Sequence, residues 1–358
     1  MEHRIDPWLI LAVVGILAAS LATLHAAGPV LGSGPLLRQA LWGACGLLLL
    51  WALSRPSLSI YSQLAPVAYG AGIAGLLLVL VLGEARGGSR AWFALGPLTI
   101  QPSEFARLGV ILMVAAWLGR SRSRRLTLRD GLVVTVLVGA AVLLVVVEPD
   151  LGVALTYLPI AAAALWLGGL PIRTWVALIL LTVIGGVVLW QSGLEPYQRE
   201  RVLTVMDPER DPYGAGYQVR QSKIAVGSGQ LVGQGIGHGS QSLLLFLPAQ
   251  HTDFAFSVWA EATGFAGATA LLAAYALLLG RIGWTALAAA SRHGLVLAIL
   301  IGSWLAFQVV VNIGMVLGWL PTTGITLPLF SYGGSSLLST CVALGVVQSV
   351  WRHRLLYS

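Results

Sequence analysis

The stretch GLVVTVLVGAAVLLVVVEPDLG, Gly131 to Gly152, decides what kind of protein this is. As far as Val147 it carries no charge, and then Glu148 and Asp150 flank a proline. As a helix rising about 1.5 Å per residue, such a run approaches the ~30 Å hydrocarbon thickness of a bilayer. Similar runs recur along the whole chain, which is 57% hydrophobic and only 10% charged, with a mean hydropathy of +0.84. A water-soluble domain of 358 residues would need far more charge to wet its surface. The expected fold is therefore an all-α polytopic membrane protein, with residues 1–358 forming one integral membrane domain.

Ten spans fit, at about 8–27, 36–53, 60–82, 104–119, 130–147, 151–168, 172–190, 254–280, 294–319 and 335–351. The sixth is short, and Pro159 is expected to kink it. Short loops place Arg4, Arg55, Arg120, Arg122, Arg124, Arg125, Arg129, Arg173, Arg281, Arg292, Arg352 and Arg354 on one side, against Arg38, Arg86 and Arg90 on the other. Positive residues stay in the cytoplasm, so both termini are expected there. The same bias explains the net charge of +7 without a nucleic-acid partner. The large loop 191–253, between the seventh and eighth spans, then lies outside the cytoplasm, away from ATP. Cys45 and Cys341 fall within spans, read as apolar packing residues.

Four polar stretches interrupt the apolar pattern. Arg86 to Leu108 is turn-rich, an expected re-entrant or interfacial segment. There Ser103 can cap the fourth span, and Glu104 and Arg107, three apart, can pair. That pair either closes the bundle or lines a substrate cavity. In EPDLG, Asp150 either caps the sixth span or shapes an outer cavity. Between Gly214 and Gly239 glycine recurs, so backbone can approach a ligand closely. Arg220 and Lys223, the only lysine, could hold a pyrophosphate there. Leu320 to Ser336, including Ser331, Gly333, Gly334 and Ser335, offers either tight packing or hydrogen bonds to a sugar. Finally, FLPAQHTDFAFSVWAE sets His251, Thr252 and Asp253 at the mouth of the eighth span, with Glu261 inside it. Asp253 is open to three readings: a helix cap, a structural acid paired with arginine, or a general base.

QSKIAVGSGQLVGQGIGHGSQ, FLPAQHTDFAFSVWAE, NIGMVLGWLPTTGITLPLFSYGGSS, QPSEFARL and EPDLG together resemble the shape, elongation, division and sporulation (SEDS) family, over essentially the whole chain. FLP before HTDF and NIGMVLG lean toward its elongation branch rather than its division branch. The resemblance implies a peptidoglycan glycosyltransferase of the bacterial cytoplasmic (inner) membrane, polymerising lipid II at the outer face beside a class B penicillin-binding protein. It places the essential aspartate at Asp253 and the membrane-embedded ion pair at Glu104 and Arg107, where the family more often has lysine. Ala249 stands where the family usually has glutamate, and WAEATGF keeps only the first acid of the usual pair, Glu261. The expected reaction inverts the anomeric centre, with Asp253 as base. Lipid II would be held by Glu104, Arg107, Arg220, Lys223, His251, Thr252, Ser331, Gly333, Gly334 and Ser335. A divalent cation, Mg or Mn, would assist on the pyrophosphate, with no organic cofactor. A lipid II flippase and a non-enzymatic scaffold of the elongation machinery are the competing functions.

Overall fold

In the computed structural model, residues 5–354 are described apart from 87–88, 97, 121–126, 170–171, 189, 192–195, 208–210, 212–213, 245 and 248. Arg4, Arg122, Arg124 and Arg125, counted above for orientation, lie outside the described residues. The helices are α1 Pro7–Ala26, α2 Gly28–Leu31, α3 Gly34–Leu53, α4 Leu58–Leu82, α5 Pro102–Arg120, α6 Leu128–Val147, α7 Leu151–Leu155 and α8 Leu158–Leu167. They continue with α9 Ile172–Val188, α10 Pro196–Met206, α11 Ala215–Ser228, α12 Ser240–Leu243, α13 Ala255–Leu287, α14 Arg292–Val316 and α15 Gly334–Arg352. Each expected span has a helical counterpart. Among the described residues, eight helices are long and apolar enough to cross a membrane, namely α1, α3, α4, α5, α6, α13, α14 and α15. The seventh counterpart, α9, has 17 residues. The sixth is broken after Leu155, one turn earlier than Pro159, which sits in the first turn of α8, where a missing N–H costs nothing.

Packing follows the burial of each helix. α4 lies on α5, α3 on α15 and α1 on α13, while α14 touches α5, α8, α13 and α15. Small residues let α4 and α5 approach closely: a Cβ on Gly72 would meet the Ala106 backbone at 2.8 Å. At the bundle end away from Asp253, Asp6 caps α1 and accepts from Arg281 Nε at 2.7 Å. Gln348 of α15 holds the same residue's backbone, tying three spans together.

Two regions differ from expectation. Where a turn-rich re-entrant or interfacial segment was expected, β1 Glu84–Arg86, β2 Ser89–Leu95 and β3 Leu98–Ile100 form a small antiparallel sheet. Its cause is visible in RAWFALGPLTI, where aromatic and β-branched residues flank a glycine turn. Ser103 does not cap α5: it lies inside the helix, and its buried hydroxyl has no partner.

Much of 191–253 is helical too, and Gly229, Gly233 and Gly239 of the glycine-rich part lie hard against α13. Val219, Ser222 and Ala225, spaced by three, bury one face of α11, while Arg220 and Lys223 project from the exposed side. Further on, Gly264 breaks α13 at φ +67° and ψ −164°. Residues 230–235 run beside the break and hydrogen-bond to it: Phe265 N–H donates to Gln230 O at 2.8 Å and Gly235 N–H to Ala262 O at 3.0 Å. A Cβ on Gly264 would collide with Gly233 N, and this backbone region is open to glycine almost alone. Gly264→Ala is expected to lower stability by about 1–3 kcal/mol, read as a fall in thermal unfolding temperature in detergent.

Candidate functional site

The HTDF turn is fixed by its neighbours before any side-chain chemistry enters. Asn312 of α14 donates Nδ2 to Asp253 O at 3.0 Å and to Ile325 O at 2.8 Å, so one buried amide joins the turn to the segment 320–333. Ser331 Oγ donates to Thr252 O at 2.6 Å, and Tyr332 N–H donates to His251 O at 2.9 Å. The His251 and Tyr332 rings meet edge to face, with centroids 5.6 Å apart. With three successive carbonyls committed, the Asp253 carboxylate is presented half-exposed, beside Gly324. The cap reading of Asp253 does not hold, because the residue at the start of α13 is Phe254 and no side chain caps it.

Burial raises the Asp253 carboxyl above its ordinary value of 3.8. A hydrogen bond from Thr252 and the charge of Arg201 lower it again, and Asp150 adds to the rise. Burial also lowers His251, favouring its neutral imidazole. Asp150 in turn feels Glu104, Arg107 and Arg201. It caps α7 through Val153 N–H at 3.0 Å and accepts from Gln101 Nε2 at 3.2 Å, so its capping role and a place in the site coexist. Glu148, buried with both carboxyl oxygens unpartnered, is pushed up to about 8 by that burial, with a further push from Asp150.

Beneath this layer sits the Glu104–Arg107 pair, at 3.0 Å between Oε2 and Nη1. Ser339 Oγ donates to Glu104 Oε2 at 3.0 Å. The guanidinium lies 4.9 Å from the Trp304 ring centroid and 5.4 Å from that of Tyr157. Arg107 is 0% exposed and Glu104 4%. The pair is therefore enclosed in the bundle, as the structural reading of it expects, and its charges act on Asp150.

Other expected contacts are also redirected. Ser331 and Ser335 have no free hydroxyl: Ser331 also accepts from Leu327 N–H, and Ser335 joins Gln101 N–H to Thr99 O. Gly333 N–H donates to Gln39 Oε1, and Gly334 begins α15 hard against Trp42. These four shape the site from behind. Thr252 Oγ1 turns back to Ala249 O at 3.3 Å. Lys223 lies over Gly318, and neither it nor Arg220 is among the charges acting on Asp253. Among the described residues, Arg201 is a cation whose charge acts on Asp253, and the sequence reading overlooked it. Its signal was present in EPYQRERV, a charged run too polar for a span. Gln101 and Asn312 were missed as well, since nothing local distinguishes an amide in a loop or span from a filler. Glu261 is 0% exposed and accepts from Gln241 and Ser242 N–H, holding the loop start of α12. Among the described residues, no three His, Cys, Asp or Glu side chains converge to hold a metal ion.

Comparison with known proteins gives this arrangement its context. The family model for FtsW, RodA and SpoVE, described as cell cycle protein, matches residues 5–355. The chain is 39% identical to the peptidoglycan glycosyltransferase MrdB of Escherichia coli K12, covering 99% of this chain and 95% of that one. It is 36% identical to the probable peptidoglycan glycosyltransferase FtsW of Coxiella burnetii, over 96% and 95%. A chain from a peptidoglycan synthase complex, solved for how polymerisation and crosslinking are coordinated, superposes with a TM-score of 0.83 at 39% identity, over 98% and 99%. The rod shape determining protein RodA of Thermus thermophilus gives 0.72 at 35%, over 98% of each chain. With motifs, spans and backbone in agreement along its length, the chain belongs to the FtsW/RodA/SpoVE family of multi-pass membrane proteins.

Proposed function

We propose that this chain is a peptidoglycan glycosyltransferase of the bacterial cytoplasmic membrane that polymerises lipid II for cell elongation. The observation that carries the mechanism is Asp253: a half-exposed carboxylate on a clamped turn at the mouth of α13, with Arg201 acting on it. Asp253 takes the proton from the 4-hydroxyl of the acceptor GlcNAc as that oxygen attacks the anomeric carbon of the donor MurNAc. The carbon–oxygen bond to undecaprenyl pyrophosphate breaks, its electron pair leaves with the pyrophosphate, and the α linkage becomes β-1,4. Pyrophosphate is already a good leaving group, so one base suffices, unlike glycoside hydrolysis with its second, protonating acid. Arg201 meets the developing charge, and Arg220 and Lys223 on α11 extend the cationic surface. A Mg or Mn ion would arrive with the pyrophosphate, and such an ion needs only one or two protein carboxylates beside the phosphate oxygens.

The polymer must then be crosslinked, and the synthase complex that this chain resembles is described as coordinating both steps. The partner in this reading is a class B penicillin-binding protein. The test is purified protein in liposomes with fluorescent lipid II, products resolved by gel and digested with a muramidase. Digestible strands are expected; lipid II flipped across the bilayer with no strands formed would sink the reading. Depletion in a rod-shaped host should round the cells, whereas blocked septation would assign the chain to division. Arg201→Gln is expected to slow polymerisation about 10²-fold, read on the same gel.

A further inference from the structure

The turn at Gln230–Gly233 carries apolar side chains that no part of the polymerase reaction uses. Gln230 and Gly233 both have positive φ, at +48° and +84°, so the chain reverses tightly and throws Leu231 and Val232 outward. They are 72% and 82% exposed, an unusual state for two adjacent aliphatic residues in a loop made mostly of glycine and polar residues. The turn is not loose. Gly233 N–H donates to Gly229 O at 2.8 Å, and Phe265 and Ala266 N–H donate to Gln230 O and Leu231 O at 2.8 and 3.0 Å. It is therefore stapled to α13 at the point where that helix resumes after its break.

That point has a definite height in the membrane. Phe265–Leu287 rises about 34 Å as a helix, enough by itself to cross the ~30 Å apolar layer, so Phe265 stands at the start of the crossing segment. The neighbouring α14 gives the same level: a Cβ on Gly302 would lie 3.0 Å from Ile282 of α13. Outward from this contact α13 reaches Phe265, and α14 ends at Val316, with Trp319 in the turn just beyond it. Both are exposed, at 68% and 74%, and tryptophan favours the headgroup boundary. Leu231 and Val232 thus continue, on the loop, the apolar surface that begins at Phe265.

We propose that Leu231 and Val232 form an apolar wedge seated in the outer rim of the bilayer, and that the lipid surface is their partner. The wedge holds the glycine-rich loop down at the level where lipid-linked substrates present their headgroups. Ile236 and Leu244, also exposed, lie farther along the same loop.

The proposal is tested on the full chain, with Cys45→Ser and Cys341→Ala, in liposomes of phosphatidylglycerol and phosphatidylethanolamine. A bimane is placed on Val232→Cys, and on Leu231→Cys as a second, independent site. Quenching by a nitroxide near the top of the lipid acyl chains should exceed quenching by aqueous iodide by about threefold or more, as for an interfacial anchor. Preferential quenching by iodide at both sites would overturn the proposal. So would protection from both quenchers, which would show a protein surface covering the turn. Polymerisation by each labelled protein confirms that the fold read is the native one, because neither residue belongs to the catalytic layer.

Discussion

Asp253→Asn is expected to abolish polymerisation, lowering the rate by about 10²–10⁴-fold, while the protein inserts, folds and resists heat at least as well as the parent. Both halves follow from the same environment. The amide keeps the shape and the clamped turn, since Asn312 binds the Asp253 backbone carbonyl and not its side chain, but it cannot accept a proton. Stability moves the other way because burial holds the folded-state carboxyl above 3.8. The folded protein then binds the proton more tightly than the unfolded chain, so stability falls as pH rises from the ordinary value through the raised one. Above the raised value that cost is present, and asparagine removes it. Strand formation on a gel and thermal unfolding of the same preparation check the pair of outcomes; full polymerisation by the variant would remove Asp253 as base. In the parent, the acid limb of the rate profile should lie at higher pH than a free aspartate would set, because the base is lost as pH falls through its raised value.

The second large effect belongs to the buried pair. Glu104→Gln leaves the Arg107 guanidinium without its counter-charge, in a place where neither side chain reaches solvent. Removing one partner of such a pair costs about 3–5 kcal/mol, so the unfolding temperature in detergent should fall sharply. The double variant Glu104→Gln with Arg107→Met should regain a good part of it, since no charge is then stranded. Activity per folded molecule should drop far less than for Asp253→Asn, because the pair touches Asp150 only through its field. An unchanged unfolding temperature for Glu104→Gln would show that the pair is not what holds α5 against α14 and α15.

These two positions also show how unevenly the sequence speaks. Glu104 and Arg107 were legible as a pair, because three residues along a helix is a fixed geometry. Their enclosure was not, since it depends on Trp304 and Ser339 arriving from two other helices and Tyr157 from the break between α7 and α8. Asp253 stood out as an acid at the start of an apolar run. That it does not cap that run is a matter of where one turn of backbone ends. Arg220 and Lys223 attracted notice by rarity, yet α11 turns them to its exposed side, and Arg201 from a different helix acts on the carboxylate instead. The serines of SYGGSS looked like offered hydroxyls and are bonded within the protein.

By itself, then, the sequence determined the membrane body and the places of its long apolar helices, because bilayer thickness and helical rise act on each segment alone. Only the tertiary structure decided which polar groups share the site. Electrostatic and hydrogen-bond partners here are brought together by packing between helices far apart in the chain, and no local pattern records that packing.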